Sequence, residues 1–194
     1  IRRYPFTVPA FSVMLLLITL NFCAVPDKKP EINFEEVVQR CGDQLDLLIK
    51  STDRIYAWGD TLDQRGRVLV SPRNLEENSD LRLVPSSDWC SGFFPGCLWL
   101  MLELTEDIKW KKPAERFTAL LEKEKFNGST HDMGFKMMCS FGNGYRMTGD
   151  TSYRDILIQS AQTLATRFNP KIGAIRSWDH NQDKWQYPVI IDNM

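Results

Sequence analysis

The chain has 194 residues, of which 43% are hydrophobic and 25% are charged, as in globular proteins and unlike disordered, collagen-like or disulfide-rich chains. Its 24 lysines and arginines nearly balance 25 acidic residues, so the net charge is −1. We therefore expect no nucleic-acid partner, and an anionic ligand would have to be recognised by a few local donors.

The first 24 residues have the pattern of a secretory signal peptide. Arg2 and Arg3 form a positive start, and an apolar run follows over residues 11–20. This run is too short for a comfortable membrane span but fits the apolar core of a signal sequence. We therefore expect export to the periplasm, or to the outer membrane as a lipoprotein of a bacterium, and no membrane span in the chain.

The boundary of this leader leaves two alternatives open. Cys23 follows Leu-Asn-Phe, which loosely resembles a lipoprotein box, so a lipid anchor at Cys23 and ordinary cleavage after Ala24 both remain. Residues 25–32 contain two prolines and are predicted to form a linker. The remaining residues, 33–194, are predicted to form the folded domain.

Cysteine and histidine are too sparse and too scattered for a zinc site. No cysteine pair has C-x-x-C spacing, and the chain has only two histidines. We expect no metal, no cofactor and no structural disulfide.

Helical spacing dominates the domain. An amphipathic helix is predicted from Asn33, which with Glu36 resembles a capping box, to about Lys50. The polar stretch 59–87, which contains Pro72 and Pro85, is predicted to be a long irregular connection.

Further along the chain, apolar and one-sided helices alternate. Residues 93–104 are apolar nearly all round and are expected to be buried on every face. The other predicted segments are a one-sided helix at 111–126, an apolar helix at 135–147, an amphipathic helix at 153–168 capped by Asp150 or Thr151, and a short extended stretch at 174–178. This alternation predicts an all-α fold in which inner helices are enclosed by outer ones. No repeat period supports a helical solenoid.

Two segments place residues that could bind or act on a sugar at the starts of predicted helices. In Asp88–Gly96, Trp89 stands before a small-residue turn, and sugars often pack against indole faces. The alternative is that the glycines and proline of this segment simply mark a helix boundary. In Thr130–Phe135, His131 and Asp132 stand at the mouth of an apolar helix. An aspartate in that position is also typical of a helix cap.

Two later segments add a cation, an aromatic side chain and a second acid. Arg176 and Trp178 lie in the first of them. In the second, four apolar residues lead into Asp192, so we expect burial to raise the pKa of its carboxyl as a general acid requires, with a cap as the alternative. Two acids in apolar surroundings fit carboxylate-pair sugar chemistry.

These segments together resemble the unsaturated glucuronyl hydrolases, glycoside hydrolase family 88. The similarity covers residues 33–194, and its motifs occur in the family's order. The motifs are D-W-x-S-G-F-F-P-G at 88–96, T-H-D-M-G-F at 130–135, S-F-G-N-G-Y at 140–145, R-F-N-P-K-I-G-A-I-R-S-W-D at 167–179 and P-V-I-I-D-N-M at 188–194.

The resemblance implies an (α/α)6 barrel with its site at one mouth, and two catalytic aspartates that fall on Asp132 and Asp192. By this resemblance Asp192 protonates C4 of a 4,5-unsaturated uronic acid and activates the water that attacks C5, while Asp132 holds the sugar hydroxyls. Trp89, His131 and Trp178 would line the subsite for the unsaturated sugar. The implied substrate is a glycosaminoglycan oligosaccharide made by a polysaccharide lyase.

The chain is about half as long as the family's barrel, so it is expected to be an N-terminal fragment and inactive alone. Further substrate-binding residues of the family would lie beyond Met194. Three alternatives remain: an unsaturated rhamnogalacturonyl hydrolase acting on pectin fragments, a non-catalytic glycan-binding helical protein, and a plain helical scaffold.

Overall fold

The structure is a computed structural model that describes residues 32–59 and 61–192. The predicted signal peptide, the candidate lipid anchor at Cys23 and nearly all of the predicted linker lie outside the described residues. The chain divides into a unit of residues 1–34 and a unit of residues 35–194, and nearly all described residues belong to the second.

The first helix is longer than its sequence pattern predicts. α1 spans Phe34–Ala57, whereas we expected it to end near Lys50. Its core-facing spacing continues through Leu45 and Thr52, which are both buried, so the helix keeps a packed face to its last turn.

The stretch 59–87 contains a β-hairpin, so the prediction of an irregular connection is wrong. Strands β1 (Leu69–Leu75) and β2 (Leu81–Pro85) pair antiparallel. The ladder is irregular next to Pro72, where a residue without an N–H is tolerated. The hairpin buries Val70, Leu83 and Val84, and the burial of these apolar side chains stabilises it.

Helices and short helical turns form the remainder, and no helix among the described residues is long and apolar enough to cross a membrane. The α-helices are α2 (Phe93–Thr105), α3 (Lys111–Ala119), α4 (Met133–Met137), α5 (Asn143–Thr148) and α6 (Thr151–Ala165). The 3-10 turns are Ile108–Trp110 and Glu122–Phe126, and a π-helical turn, Met138–Gly142, joins α4 to α5. A second small antiparallel sheet pairs β3 (Phe168–Asn169) with β4 (Ala174–Ile175).

Helices dominate the described residues, as the all-α prediction requires, and several predicted boundaries hold. The predicted helices at 93–104 and 153–168 correspond to α2 and α6, and Asp150 caps α6 by accepting a hydrogen bond from the Ser152 N–H at 2.9 Å. The predicted helix at 111–126 instead breaks after Ala119 into a 3-10 turn.

The core is built around α2. Leu98 and Trp99 are fully buried there, and the Trp99 indole N–H donates to the Thr118 hydroxyl at 2.9 Å. The expectation that α2 is buried on every face is wrong for the described residues, because Leu100 and Leu104 are exposed. A second cluster beneath β1 packs Leu121, Met133, Met137 and Phe141 against Val70.

Candidate functional site

The Asp88–Gly96 segment is a tight turn that leads from β2 into α2. The Asp88 carboxylate accepts hydrogen bonds from the Cys90 N–H and from Arg73, each at 3.2 Å. Trp89 lies within this turn, and 45% of its surface is exposed. Its ring meets Phe93 and Phe135 edge-on at centroid distances of 5.7 and 5.9 Å. These contacts hold the exposed indole of Trp89 against α4, the helix that begins after Asp132.

Asp132 stands at the N-terminus of α4, but its side chain does not cap that helix. The Thr130 hydroxyl donates to Asp132 Oδ2 at 2.6 Å, and His131 Nε2 lies 3.3 Å from Asp132 Oδ1. The carboxylate is therefore oriented by its two neighbours rather than used to satisfy the helix. This geometry argues against the alternative of a simple helix cap.

Two buried nitrogens beside this carboxylate have no partner among the described residues. His131 Nδ1 and Trp178 Nε1 are both enclosed and make no hydrogen bond. The two rings lie 6.5 Å apart at 67°. Buried polar groups are almost always paired with protein, water or ligand, so unpartnered ones next to an oriented acid are typical of a binding site.

One face of Trp178 is already occupied. His180 stacks on it with a centroid distance of 5.5 Å and an angle of 19°, and Trp185 meets it edge-on at 6.2 Å. The indole N–H of Trp178 is therefore a better candidate for a ligand contact than the face covered by His180.

Ser177, which the sequence analysis did not single out, joins three segments of the site. Its carbonyl accepts from the His131 N–H at 3.2 Å, its N–H donates to the Pro188 carbonyl at 2.8 Å, and its hydroxyl accepts from the Ile190 N–H at 3.0 Å. Ser177 is fully buried. The segments that carry Asp132, Trp178 and Asp192 are thereby tied to one another.

Arg167 is a second residue that the sequence analysis missed. Its Nε donates to the Arg176 carbonyl at 2.7 Å, its Nη1 to the Gly128 carbonyl, and Nη1 and Nη2 to the two oxygens of Asp179 at 3.0 and 3.1 Å. The Arg167 hydrogen bond, with help from Arg176, holds the pKa of Asp179 below its usual range. Arg176 also lies 2.6 Å from Asp179, so the cation expected in this segment is paired within it.

Asp192 lies in a turn and is exposed, as is Ile191 before it. The prediction that an apolar frame buries this acid is therefore wrong for the described residues. Of the apolar residues before it, only Pro188 is buried, and Val189 and Ile190 are exposed. The segment is held to the surface through Ser177 rather than by packing of its own side chains.

The structure thus brings three of the five predicted site residues together directly, namely His131, Asp132 and Trp178. Trp89 reaches the same helix through its contact with Phe135. Among the described residues no group of three or more histidine, cysteine or acidic side chains could hold a metal ion. The four cysteines in the described part of the chain are free.

No protein-family model matches the chain. It is 56% identical to an unsaturated glucuronyl hydrolase of Formosa agariphila over 112 residues, which are 57% of this chain and 28% of that protein. The crystal structure of an unsaturated glucuronyl hydrolase specific for heparin matches with a TM-score of 0.65 and 39% identity, over 82% of this chain and 40% of that one. The unsaturated glucuronyl hydrolase of Streptococcus agalactiae matches with a TM-score of 0.59 and 26% identity, over 75% and 34%.

These comparisons confirm the resemblance to unsaturated glucuronyl hydrolases that the motifs indicate. The predicted fold is confirmed as well, because the described helices match part of the (α/α)6 barrel of those structures. The chain spans less than half the length of each of these three relatives.

Proposed function

We propose that this chain forms part of the active site of an exported glycoside hydrolase. The enzyme releases 4,5-unsaturated glucuronic acid from glycosaminoglycan oligosaccharides that polysaccharide lyases have produced. One observation carries the proposal. The Asp132 carboxylate is oriented by Thr130 and His131 instead of capping its helix, and it lies beside the unpartnered nitrogens of His131 and Trp178. Similarity to relatives of that name supports the substrate class.

In the proposed reaction Asp192 transfers a proton to C4 of the C4=C5 double bond, and C5 becomes an oxocarbenium ion. The Asp192 carboxylate then takes a proton from water as the water oxygen bonds to C5, which returns the acid to its starting form. The resulting hemiketal opens by breaking its C5–O5 bond, which leaves a ketone at C5 and a hemiacetal at C1. The hemiacetal collapses to an aldehyde as its C1–O bond to the leaving sugar breaks, and the leaving oxygen takes up the proton that the C1 hydroxyl loses. Exposure of Asp192 is compatible with a group that must meet both water and substrate.

Asp132 has a different role in this proposal. Its carboxylate accepts hydrogen bonds from sugar hydroxyls, while the buried His131 Nδ1 and the Trp178 N–H supply further polar contacts. Trp89 offers an exposed ring at the edge of the site against which the C–H face of a pyranose can pack. Binding and proton transfer are thus assigned to different acids.

The test follows the ultraviolet absorbance of an unsaturated chondroitin disaccharide, because hydration destroys the conjugated enol-acid chromophore. The full-length protein is compared with its Asp192→Asn and Asp132→Asn variants, and with Asp183→Asn as a matched control, since Asp183 is an exposed acid of the same region. We expect absorbance to fall with the wild type and with Asp183→Asn, and to persist with the other two variants.

Two other outcomes point to different functions. Turnover of a rhamnogalacturonan-derived unsaturated disaccharide, with none on chondroitin- or heparin-derived ones, would favour the pectin-directed enzyme. Binding of the uronides without any loss of absorbance would indicate a glycan-binding protein. The first result would reject the proposed substrate class, and the second would reject the proposed reaction.

A further inference from the structure

A fully buried lysine lies directly beneath the candidate site. Lys136 is one helical turn after Asp132, and its backbone N–H bonds the Asp132 carbonyl at 3.3 Å. No part of its side chain is exposed, and Nζ lies 3.5 Å from Glu124 Oε2. An ammonium group in such a position must be compensated by nearby negative charge, because burial strongly disfavours a lone ion.

Glu124 is held by two further donors. The Ser86 hydroxyl donates to Glu124 Oε1 and the Asn127 amide to Oε2, each at 2.6 Å. Ser86 precedes the Asp88–Trp89 turn, and Asn127 opens the loop that leads to Thr130. The buried pair therefore connects the two segments that carry the candidate binding residues.

Lys136 also interacts electrostatically with the acids of the site. Burial lowers the pKa of Lys136, and the charges of Glu124, Asp132 and Asp88 oppose that shift. His131 Nε2 lies 3.3 Å from Asp132 Oδ1, and Arg73 Nη1 lies 3.2 Å from Asp88 Oδ2. The ammonium group of Lys136 interacts electrostatically with both acids from within the core.

A contribution to stability does not by itself explain why Lys136 and Glu124 form a buried ion pair. Removing two charges from water costs several kcal/mol per ion, and well-packed apolar residues often replace a buried pair with no loss of stability. The same helix already contributes to an apolar cluster, since Met133 and Met137, which come before and after Lys136 in α4, are both buried in it.

We propose that Lys136, paired with Glu124, is a positioning residue that keeps the Asp132 carboxylate and the Asp88–Trp89 turn in place for the sugar. Lys136 does not touch substrate; it acts through the two acids. This inference rests on the proposed function, because its readout is turnover of an unsaturated uronide.

The test uses the full-length protein and a double variant, Lys136→Met with Glu124→Gln. This variant leaves no unpaired buried charge, and the glutamine can still accept from the Ser86 hydroxyl. Arg146 and Glu103 form an exposed ion pair, so Arg146→Met with Glu103→Gln is the matched control. We expect the buried-pair variant to keep its near-ultraviolet circular dichroism while kcat/KM falls by about tenfold or more.

The separate values of KM and kcat distinguish positioning from general damage. The residues that the pair is proposed to position, Asp132 and Trp89, are assigned to binding, whereas Asp192 is assigned to proton transfer. The buried-pair variant should therefore raise KM more than it lowers kcat, and the control should change neither. If the double variant does not fold, Lys136→Arg is measured instead. It retains the charge and should keep the KM of the wild type, and a clearly raised KM in a folded Lys136→Arg protein would overturn the proposal.

The outcomes distinguish this inference from the proposed function. A wild-type protein that leaves the unsaturated disaccharides unchanged rejects the function itself. A wild-type protein that is active, with a buried-pair variant whose kcat/KM is within twofold of it and whose KM is unchanged, leaves the function standing and shows that the pair serves packing only.

Discussion

Gly92 sits where the Asp88–Trp89 turn presses against the helix of Asp132, so Gly92→Ala tests how closely the two must approach. Gly92 has ordinary backbone angles, φ −80° and ψ −15°, so alanine meets no conformational penalty there. A Cβ at this position would lie 2.3 Å from the Lys136 carbonyl oxygen and 2.4 Å from that of Phe135. Van der Waals contacts begin near 3.4 Å, and both obstacles are backbone atoms, so the two segments must separate by roughly 1 Å.

The size of the effect follows from this displacement. Overpacking of a tight interface costs about 1–3 kcal/mol of the free energy of unfolding. A shift of about 1 Å between groups that must act on one ligand can cost about a hundredfold in activity. Asp88 and Trp89 lie on one side of the contact and Asp132 on the other. We therefore expect Gly92→Ala to lower kcat/KM far more than its loss of stability would explain.

The assay combines urea unfolding of the full-length protein with turnover of the unsaturated disaccharide under folding conditions. Gly128→Ala is the control, because the nearest atom to a Cβ there is Thr163 Cγ2 at 3.8 Å, an ordinary contact. A Gly92→Ala protein with stability within about 0.5 kcal/mol of wild type and activity within twofold would refute the reasoning.

Thr118→Val removes the acceptor of the buried Trp99 indole N–H and should lower the free energy of unfolding by about 1–3 kcal/mol in urea titrations, whereas Thr118→Ser should lose less because it keeps the hydroxyl. Asp179 has a pKa lowered chiefly by its hydrogen bond from Arg167, so its contribution to stability is present above the pKa of the unfolded chain and is lost as pH falls through the lower folded value. The melting temperature of the full-length protein should therefore fall less steeply below about pH 4 in Asp179→Asn than in wild type, and equal slopes would contradict this assignment.

The sequence predicted the elements whose spacing is local. A run of residues that is apolar nearly all round located α2, an amphipathic pattern located α6, and the short polar residue Asp150 marked the start of α6. The hairpin was missed because its strands are short, contain Pro72 and Pro85, and bury three consecutive residues instead of alternate ones. Its pairing depends on the contact of Val70 with Leu121 and the methionines beyond it, which no local pattern encodes.

The candidate site shows the same division. Neighbours in sequence, such as His131 and Asp132, could be identified from their motif. Their partners, such as Ser177 and Glu124, come from distant segments through hydrogen bonds that only the folded chain reveals. Lys136 carried a local signal, since a single lysine in an otherwise apolar helical stretch needs a buried counter-charge. Nothing in its sequence neighbourhood indicates that Glu124 supplies it.

Arg167 orders two segments of the candidate site before any ligand binds. By holding the Gly128 carbonyl on one side and the Arg176 carbonyl and Asp179 on the other, it fixes the loop before Thr130 relative to the strand that leads into Trp178. Because these two segments are already ordered relative to each other, they lose little conformational entropy when a sugar binds. Association at this part of the site should then be governed by diffusion of the ligand rather than by a slow closure of these two segments.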